Sequence, residues 1–335
     1  MKVKNLLVLS CFCIMLIGCN KKQVENPFMQ NSNDRAFAKL NQNMKAAPEK
    51  KLNENYDYLE KNAIHDESAP QLSFDVYKTR ADVKYGMVKH ETYYSNTCKM
   101  ERGFSILLPA DYDGQKKFPV MYFQHGIFGD EYAIINDPNN KINEITTNLA
   151  LDGHAKEMII VFGHMYASDN PEQKPAFDAE AVKPYDNFIN ELVNDLMPYI
   201  ESHYQVLTGR ENTAICGFSM GGRESLYIGL LRPDLFGYVG AIAPAPGLVP
   251  GKDNFMTHEG SLKESQVHFP DGMKAPSFVM ICCATTDSVV GKFPKSYHQL
   301  FQNNGIEHIW FEVPGADHDS RAIRTGLYHF IQNIF

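Results

Sequence analysis

The chain has 335 residues, of which 44% are hydrophobic and 21% charged, so it can bury a large core and wholesale disorder is disfavoured. The formal net charge of −8 argues against nucleic acid or an anionic membrane surface as the main partner. This length allows one large domain or two small ones.

The first 18 residues are predicted to be a lipoprotein signal peptide. Lys2 and Lys4 precede an apolar run at 6–17, which is shorter than the ~20 residues that span a bilayer. The run ends in Gly18-Cys19, which resembles a bacterial lipobox with cleavage before the cysteine. An ordinary secretory signal with a chance cysteine is the alternative. We expect lipid on Cys19 to anchor the chain in a bacterial cell envelope, at the periplasmic face or the cell surface.

Residues 19–69 are predicted to be a polar tether, and residues 70–335 a single domain. The tether is rich in Asn, Lys, Glu and Gln, with sparse and unpatterned hydrophobic residues. The cysteines of the domain lack zinc or disulfide spacing and are interpreted as small buried hydrophobic residues: Cys98, Cys216, Cys282 and Cys283. No metal-binding or nucleotide-binding motif is found, so neither a metal nor a cofactor is expected.

Predicted strands and helices alternate along the domain. Strands are predicted at 85–95, 102–109, 119–124, 158–162, 213–217, 237–243, 277–283 and 308–313. Helices are predicted at 141–152, 184–204, 221–231 and 320–335, with a kink at Pro198 in the second. Fully apolar strands that alternate with helices indicate an α/β fold, with a mostly parallel central sheet flanked by helices on both faces.

Ser219 is predicted to be a nucleophile. It is the central residue of Gly217-Phe218-Ser219-Met220-Gly221, which lies between an apolar strand and a helix, as a G-x-S-x-G nucleophile elbow requires. Glycine at positions 217 and 221 lets neighbouring backbone approach a tight turn. The helix N-terminus also favours negative charge that develops beside the serine. The alternative is an ordinary glycine-rich turn.

A serine nucleophile needs a base, and the base needs a carboxylate that orients it. In this fold the acid and then the histidine follow the nucleophile along the chain. His318 follows the last predicted strand and is the predicted base. Asp287, where the preceding strand ends, is the predicted acid. Asp271 is a weaker alternative, and Asp317 and Asp319 are disfavoured because side chains adjacent in sequence rarely face each other.

Two backbone N–H groups are needed for an oxyanion hole. One is predicted to come from Met220, the residue after the nucleophile. The other is assigned to Ile127 in the loop after the 119–124 strand, with Gly126 and Phe128 as alternatives. His125 precedes the nucleophile, so it is interpreted as a structural histidine that supports this loop.

With these motifs the chain resembles the esterase D-like putative esterase family of α/β-hydrolases, and within it the feruloyl esterases of carbohydrate esterase family 1. The resemblance covers roughly residues 94–335 and is carried by segments 118–129, 196–204, 217–222, 283–288 and 315–319. The family's serine, acid and base fall on Ser219, Asp287 and His318. This sequence departs from the family pattern at Gln124, at Cys283 or Ala284, and at Ala316.

The resemblance implies an α/β-hydrolase fold and a serine esterase that acts on feruloyl or acetyl esters of plant cell-wall polysaccharides such as xylan. One alternative is a siderophore-type, enterochelin-like esterase. Another is a non-catalytic envelope protein that binds glycans, and a third is acyl transfer to a sugar acceptor. The insertion at 249–274 is expected near the acyl or sugar pocket and leaves the exact substrate open.

Overall fold

A computed structural model of the protein describes residues 67–68 and 72–335. The predicted signal peptide at 1–18, Cys19 and the predicted tether up to residue 66 lie outside the described residues. Within the described ranges, no helix combines the length and apolar character needed to cross a membrane.

A mixed sheet organises this part of the chain. The strands, in chain order, are β1 (Glu67–Ser68), β2 (Met87–Ser95), β3 (Met100–Leu108), β4 (Val120–Gln124), β5 (Ile159–Gly163), β6 (Thr213–Phe218), β7 (Tyr238–Ile242), β8 (Gly251–Lys252), β9 (Thr257–His258), β10 (Phe278–Ala284) and β11 (Ile309–Val313). All but β8 and β9 form one sheet in the order β1-β11-β10-β7-β6-β4-β5-β3-β2. Neighbouring strands are parallel except where β3 pairs with β2 and β5. The sheet is therefore mostly parallel, as the sequence predicts.

Helices cover both faces of the sheet. They are α1 (Phe74–Tyr77), α2 (Ile142–Leu151), α3 (Ala179–Asp186), α4 (Phe188–Glu191), α5 (Met197–His203), α6 (Met220–Leu231), α7 (Phe293–Asn303) and α8 (Ser320–Ile331). Side chains of α2 and α8 pack in one hydrophobic cluster, and those of α3 to α7 pack in another. Cys282 and Cys283, neighbours on β10, are buried in different clusters, so the sheet has a core on each face.

The helix predicted over 184–204 differs from the observed one. The helical segment begins at residue 179, where Asp178 accepts hydrogen bonds from two backbone N–H groups of the first turn and so caps α3. The chain then passes through α4 and a π turn, Leu192–Leu196, before α5. Pro198 lies at the start of α5, and its missing N–H accounts for the irregular turn just before it.

The edge strand β1 lies in residues that the sequence analysis assigned to the tether. Glu67 pairs with Phe311 and Ser68 with Glu312 in parallel register. A pairing of two residues uses backbone groups alone, so it leaves no pattern in the sequence.

The carboxyl ends of β4, β6, β10 and β11 meet at one edge of the sheet because these strands are parallel. The segments that leave this edge are residues 125–129, the turn at 219, residues 285–290 and residues 314–319. Such an edge is where α/β folds place their sites, and all the predicted reacting residues lie on these segments.

Candidate active site

Ser219 occupies a sharp turn between β6 and α6. Its φ of 58° lies in the left-handed region, which a residue other than glycine adopts at an energetic cost. Backbone hydrogen bonds hold it there: its N–H donates to Ile242 O at 2.9 Å, and its carbonyl accepts from the N–H groups of Arg223 and Ala245 at 3.0 and 2.9 Å. The conformation of the serine is therefore imposed by main chain on three sides.

The two glycines that flank the serine have no room for a side chain. A Cβ at Gly217 would lie 2.3 Å from Gly221 O, and a Cβ at Gly221 would lie 2.3 Å from Gln124 O. Both contacts are to backbone atoms, which cannot swing away as the end of a flexible side chain can. The motif therefore contains glycine because strand, turn and helix approach within contact distance.

Asp287 and His318 come together across two loops. Nδ1 of His318 lies 2.9 Å from Oδ2 of Asp287, and we assign the proton to this nitrogen because the carboxylate can only accept. The other carboxylate oxygen accepts hydrogen bonds from the N–H groups of Val289 and Val290, each at 2.9 Å. The carboxylate is thus oriented by its own loop and in turn fixes the ring of the histidine.

The Asp287 carboxylate is held ionised. Its side chain is 1% exposed, and burial alone raises the pKa. The hydrogen bond and charge of His318, with the N–H groups of Val290 and Val289, outweigh burial and bring the pKa below its ordinary value. Asp287 is therefore an acceptor for His318 at neutral pH.

The histidine lies beside the elbow. Its ring packs on that of Phe218, the residue before Ser219, with ring centroids 4.4 Å apart. Among the residues that the structure describes, Ser219 Oγ donates no hydrogen bond to His318. Catalytic hydrogen bonds are often long until substrate binds, so this geometry is compatible with proton transfer between the two.

Two threonines connect the loops that carry Asp287 and His318. Thr286 Oγ1 donates to Ala316 O at 2.6 Å, and Gly315 N–H donates to Thr285 Oγ1 at 2.8 Å. Sequence reasoning did not single out these residues, since a hydroxyl in a polar loop is unremarkable until its partner is known.

The oxyanion candidates can be compared by what their N–H groups bind. Within the described chain, the N–H groups of Met220 and Ile127 donate to no protein acceptor. Phe128 N–H, an alternative in the sequence analysis, donates to Tyr185 Oη at 3.0 Å and is occupied. Gly126 lies against Ser219, because a Cβ built on it would be 3.4 Å from Ser219 Cβ. The loop after β4 therefore lies against Ser219, and of its three candidates Phe128 has an N–H that is already occupied.

His125 supports this loop, as the sequence analysis predicts. Its Nδ1 donates to Gly126 O at 2.7 Å, and its Nε2 accepts from Met165 N–H at 3.0 Å. Burial lowers the pKa of His125 to about 4, so the ring stays neutral and can serve both partners.

The insertion at 249–274 contains the β8–β9 hairpin, whose tip carries Phe255. Oδ1 of Asp253 accepts from the N–H groups of Phe255 and Met256 at 2.8 and 2.7 Å, and Oδ2 lies 3.1 Å from His258 Nε2. Ser261, after the hairpin, donates to the carboxylate of Asp186 at the end of α3, at 3.1 Å. The hairpin is therefore shaped by its own aspartate and fixed to α3.

Three exposed rings from three segments meet at the loop after β4. Phe128, Phe177 and Phe255, the phenylalanine cluster, are 54%, 43% and 48% exposed. The ring of Phe177 is edge-on to that of Phe128 at 5.0 Å and stacked on that of Phe255 at 4.7 Å. Phe128 also has a φ of 65°, a conformation that is costly for a bulky residue. Exposed apolar surface held in this way is typical of a binding surface.

Comparison with known proteins identifies the family. The family model described as Putative esterase matches residues 95–275. An endo-1,4-beta-xylanase/feruloyl esterase of Xylanibacter ruminicola is 28% identical over 271 residues, which is 79% of this chain and 34% of that protein. Endo-1,4-beta-xylanase Y of Acetivibrio thermocellus is 24% identical over 153 residues, or 43% of this chain and 13% of the relative. The chain thus spans about a third of the first relative and less of the second.

Solved structures share the fold. A CE1 ferulic acid esterase from Anaeromyces mucronatus, in complex with ferulic acid, is 49% identical with a TM-score of 0.76, over 80% of this chain and 97% of that chain. An S-formylglutathione hydrolase from Staphylococcus aureus is 16% identical with a TM-score of 0.54, over 76% of this chain and 98% of that chain. The second likeness is one of fold alone.

Proposed function

This chain belongs to the Putative esterase family and is a serine ester hydrolase, and we propose that it releases feruloyl or acetyl groups from plant cell-wall polysaccharides such as xylan. The observation that carries this proposal is the 2.9 Å pairing of Asp287 with His318 beside the Ser219 elbow. Similarity to a ferulic acid esterase over most of the chain supports the substrate class.

In the proposed mechanism, His318 removes the proton from Ser219 Oγ as that oxygen attacks the ester carbonyl. Asp287 stabilises the imidazolium that forms and keeps the ring in the required tautomer. His318 then protonates the departing sugar oxygen and leaves an acyl group on Ser219. Water, deprotonated by His318, adds to this acyl-enzyme, and the carboxylic acid product leaves as the serine regains its proton.

The oxyanion of each tetrahedral intermediate is proposed to accept hydrogen bonds from the N–H groups of Met220 and Ile127. Met220 is the first residue of α6, so its N–H has no acceptor within the helix and lies at the positive end of the helix dipole. A pre-arranged donor of this kind is typically worth ~10²–10³ in rate.

The phenylalanine cluster supports an aromatic or carbohydrate ester as substrate. Aromatic rings stack on other rings at centroid distances of about 4.5–7 Å. The three rings of the cluster are exposed, and Phe128 is next in sequence to the proposed oxyanion donor Ile127. A catecholate ester of a siderophore has a ring as well, so the acyl group has to be identified by assay.

The decisive experiment compares the protein with Ser219→Ala on methyl ferulate and on an aryl acetate. We expect the variant to lose ~10⁴-fold or more in kcat/KM on both esters, while its urea unfolding curve changes little. Ser202→Ala, on the exposed surface of α5, is the matched control and should keep full activity. Full activity in Ser219→Ala would show that the proposed site is wrong.

A fluorophosphonate probe separates an esterase from a glycan-binding protein on the same fold. Labelling of the protein but not of Ser219→Ala supports the esterase, whereas an unlabelled protein that still binds xylan would contradict it. A panel of feruloyl, acetyl and catecholate esters then ranks the substrate classes, and products formed with an added xylan acceptor would reveal acyl transfer.

We also propose that lipid on Cys19 anchors the protein in a bacterial cell envelope. The support is the basic start, the short apolar run and the Gly18-Cys19 pair in the sequence. Cys19→Ala should move the protein from the membrane fraction to the soluble fraction of cells, and an unchanged distribution would contradict the anchor.

A further inference from the structure

Asp317 is one residue before the proposed base, and its carboxylate binds the backbone of both loops of the site. Oδ1 accepts hydrogen bonds from His318 N–H at 2.8 Å and from Ser288 N–H at 2.8 Å. The hydroxyl of Ser288 donates to the same carboxylate, at 3.1 Å to Oδ1 and 3.3 Å to Oδ2. One side chain therefore joins the residue after the proposed acid to the proposed base.

The position of these contacts is what makes them functionally informative. The threonine bonds at Thr285 and Thr286 connect the loops before Asp287, and the Asp317 carboxylate connects them after it. The two loops are thus tied both before and after Asp287, whose 2.9 Å bond with His318 lies between these ties. Ser288 and Val289 are exposed, and this side of the acid loop is packed into the core only from Val290 onward.

Charge favours the same role. The N–H groups of Ser288 and His318 lower the pKa of Asp317, so its carboxylate is ionised over the neutral range. Hydrogen bonds to a charged acceptor are stronger than those between neutral groups. The tie is therefore made of charge-assisted hydrogen bonds.

We propose that Asp317 is a positioning residue, which sets the distance and direction of the Asp287–His318 hydrogen bond by tying the two loops together. Its hydrogen bonds go to Ser288 and His318 and not to Ser219, so it acts only through the proposed acid and base. This inference rests on the proposed roles of Asp287 and His318 in ester hydrolysis.

The first test measures kcat and KM of Asp317→Ala and Asp317→Asn on methyl ferulate. Misplacing a catalytic group by ~1 Å can cost ~10²-fold, so we expect Asp317→Ala to lower kcat by about 10–100-fold with KM within about 2-fold. Asparagine keeps an oxygen that accepts from both N–H groups, so the kcat of Asp317→Asn should lie within about 3-fold of that of the unsubstituted protein.

Asp113→Ala is the matched control. Its carboxylate also accepts from two backbone N–H groups of its own loop, at 2.8 and 3.0 Å, but that loop precedes β4 and so lies at the opposite edge of the sheet. It should leave kcat unchanged. An equal loss in Asp113→Ala, or none in Asp317→Ala, would overturn the proposal.

A double-variant comparison tests whether Asp317 acts through the proposed acid. In an Asp287→Asn background the bond that Asp317 positions is already impaired, so adding Asp317→Ala should lower kcat by less than about 2-fold. The same 10–100-fold loss in both backgrounds would show an independent role and contradict the proposal. Ser219→Ala distinguishes failure of the proposed function from failure of this inference. If Ser219→Ala stays active, the proposed function is wrong. If Ser219→Ala is inactive and Asp317→Ala is fully active, only the positioning role of Asp317 is wrong.

Discussion

The elbow and the pair of loops at 285–290 and 314–319 are held in place by different means. At the elbow, main chain packs on main chain so closely that Gly217 and Gly221 cannot take a Cβ, and backbone hydrogen bonds fix Ser219. In the loops, side chains of Thr285, Thr286 and Asp317 add ties to the backbone bond from Thr286 N–H to Ala316 O. The first arrangement is written in one short stretch of sequence, whereas the second depends on residues that meet only in the folded chain.

Substitutions at the elbow and in the two loops should therefore have different consequences. A change at the elbow alters a packed interior, which cannot relax without moving a strand or a helix. A change in the loops removes one hydrogen bond among several, so the fold should survive and only the geometry of acid and base should suffer. Four predictions test this contrast.

The largest effect is expected from Gly221→Ala, which tests the rigidity of the elbow. The added Cβ would meet Gln124 O at 2.3 Å and His125 O at 2.6 Å, so the chain should lose several kcal/mol of stability and nearly all activity. Urea unfolding and hydrolysis of an aryl acetate measure both. Gly222→Ala is the control, since its closest contacts would be 3.1 Å and its effect should be smaller. Equal, mild effects of the two variants would contradict the rigidity of the elbow.

Next in size is Asp287→Asn, in the acid loop. The amide cannot hold the His318 ring in the same tautomer with the same charge, so we expect kcat to fall by about 10³–10⁴-fold. The fold should remain intact, unlike that of Gly221→Ala. Activity on methyl ferulate and the urea midpoint are the two readouts, and a variant as unstable as Gly221→Ala would contradict the distinction.

A smaller effect is expected from Thr286→Val, which removes one of the hydroxyl ties. Ala316 O keeps the N–H of Thr286 as a donor at 3.0 Å, so kcat should fall by only about 2–5-fold. Thr208→Val is the control. It replaces an exposed hydroxyl at the opposite edge of the sheet, which makes no hydrogen bond with the described residues, so kcat should not change. A loss as large as that of Asp287→Asn would show that the loops are no more tolerant than the elbow.

The smallest effect concerns the pH dependence of stability. The pKa of Asp287 is lower in the folded chain than the ordinary value of ~3.9, so its carboxylate stabilises the fold fully above about pH 4. That contribution is lost as the pH falls through the lower, folded pKa. The difference in unfolding free energy between the protein and Asp287→Asn should therefore be larger at pH 7 than at pH 3. Ser219→Ala, at an elbow without a titratable side chain, should show the same difference at both pH values.

Much of the site follows from the sequence because its signals are local. An apolar strand, the G-x-S-x-G string and a helix fix the place of Ser219, and chain order selects Asp287 and His318, which the structure brings together. The sequence could not choose firmly among Gly126, Ile127 and Phe128 as donors. The fold removes Phe128 from that choice, because the hydroxyl of Tyr185, 57 residues away, occupies the N–H of Phe128.

The long helix shows where local reasoning fails. Apolar residues recurring every four positions predict one helix over 184–204, whereas the structure has three short helices with a π turn between α4 and α5. In the π turn, Asp195 accepts hydrogen bonds from the N–H groups of Asn96 and Thr97 at the tip of the β2–β3 hairpin. The spacing of apolar residues in a sequence cannot reveal partners that lie 99 and 98 residues away.

The alternation of strands and helices, the elbow and the chain order of the predicted triad can be read from the residues alone, because they follow from hydrophobic period and from the backbone demands of neighbouring residues. Folding is needed to show that the N–H of Phe128 is occupied, how Asp317 and the threonines tie two loops, and that three phenylalanines converge. These features are contacts between distant segments, and their side chains look ordinary until the fold supplies a partner.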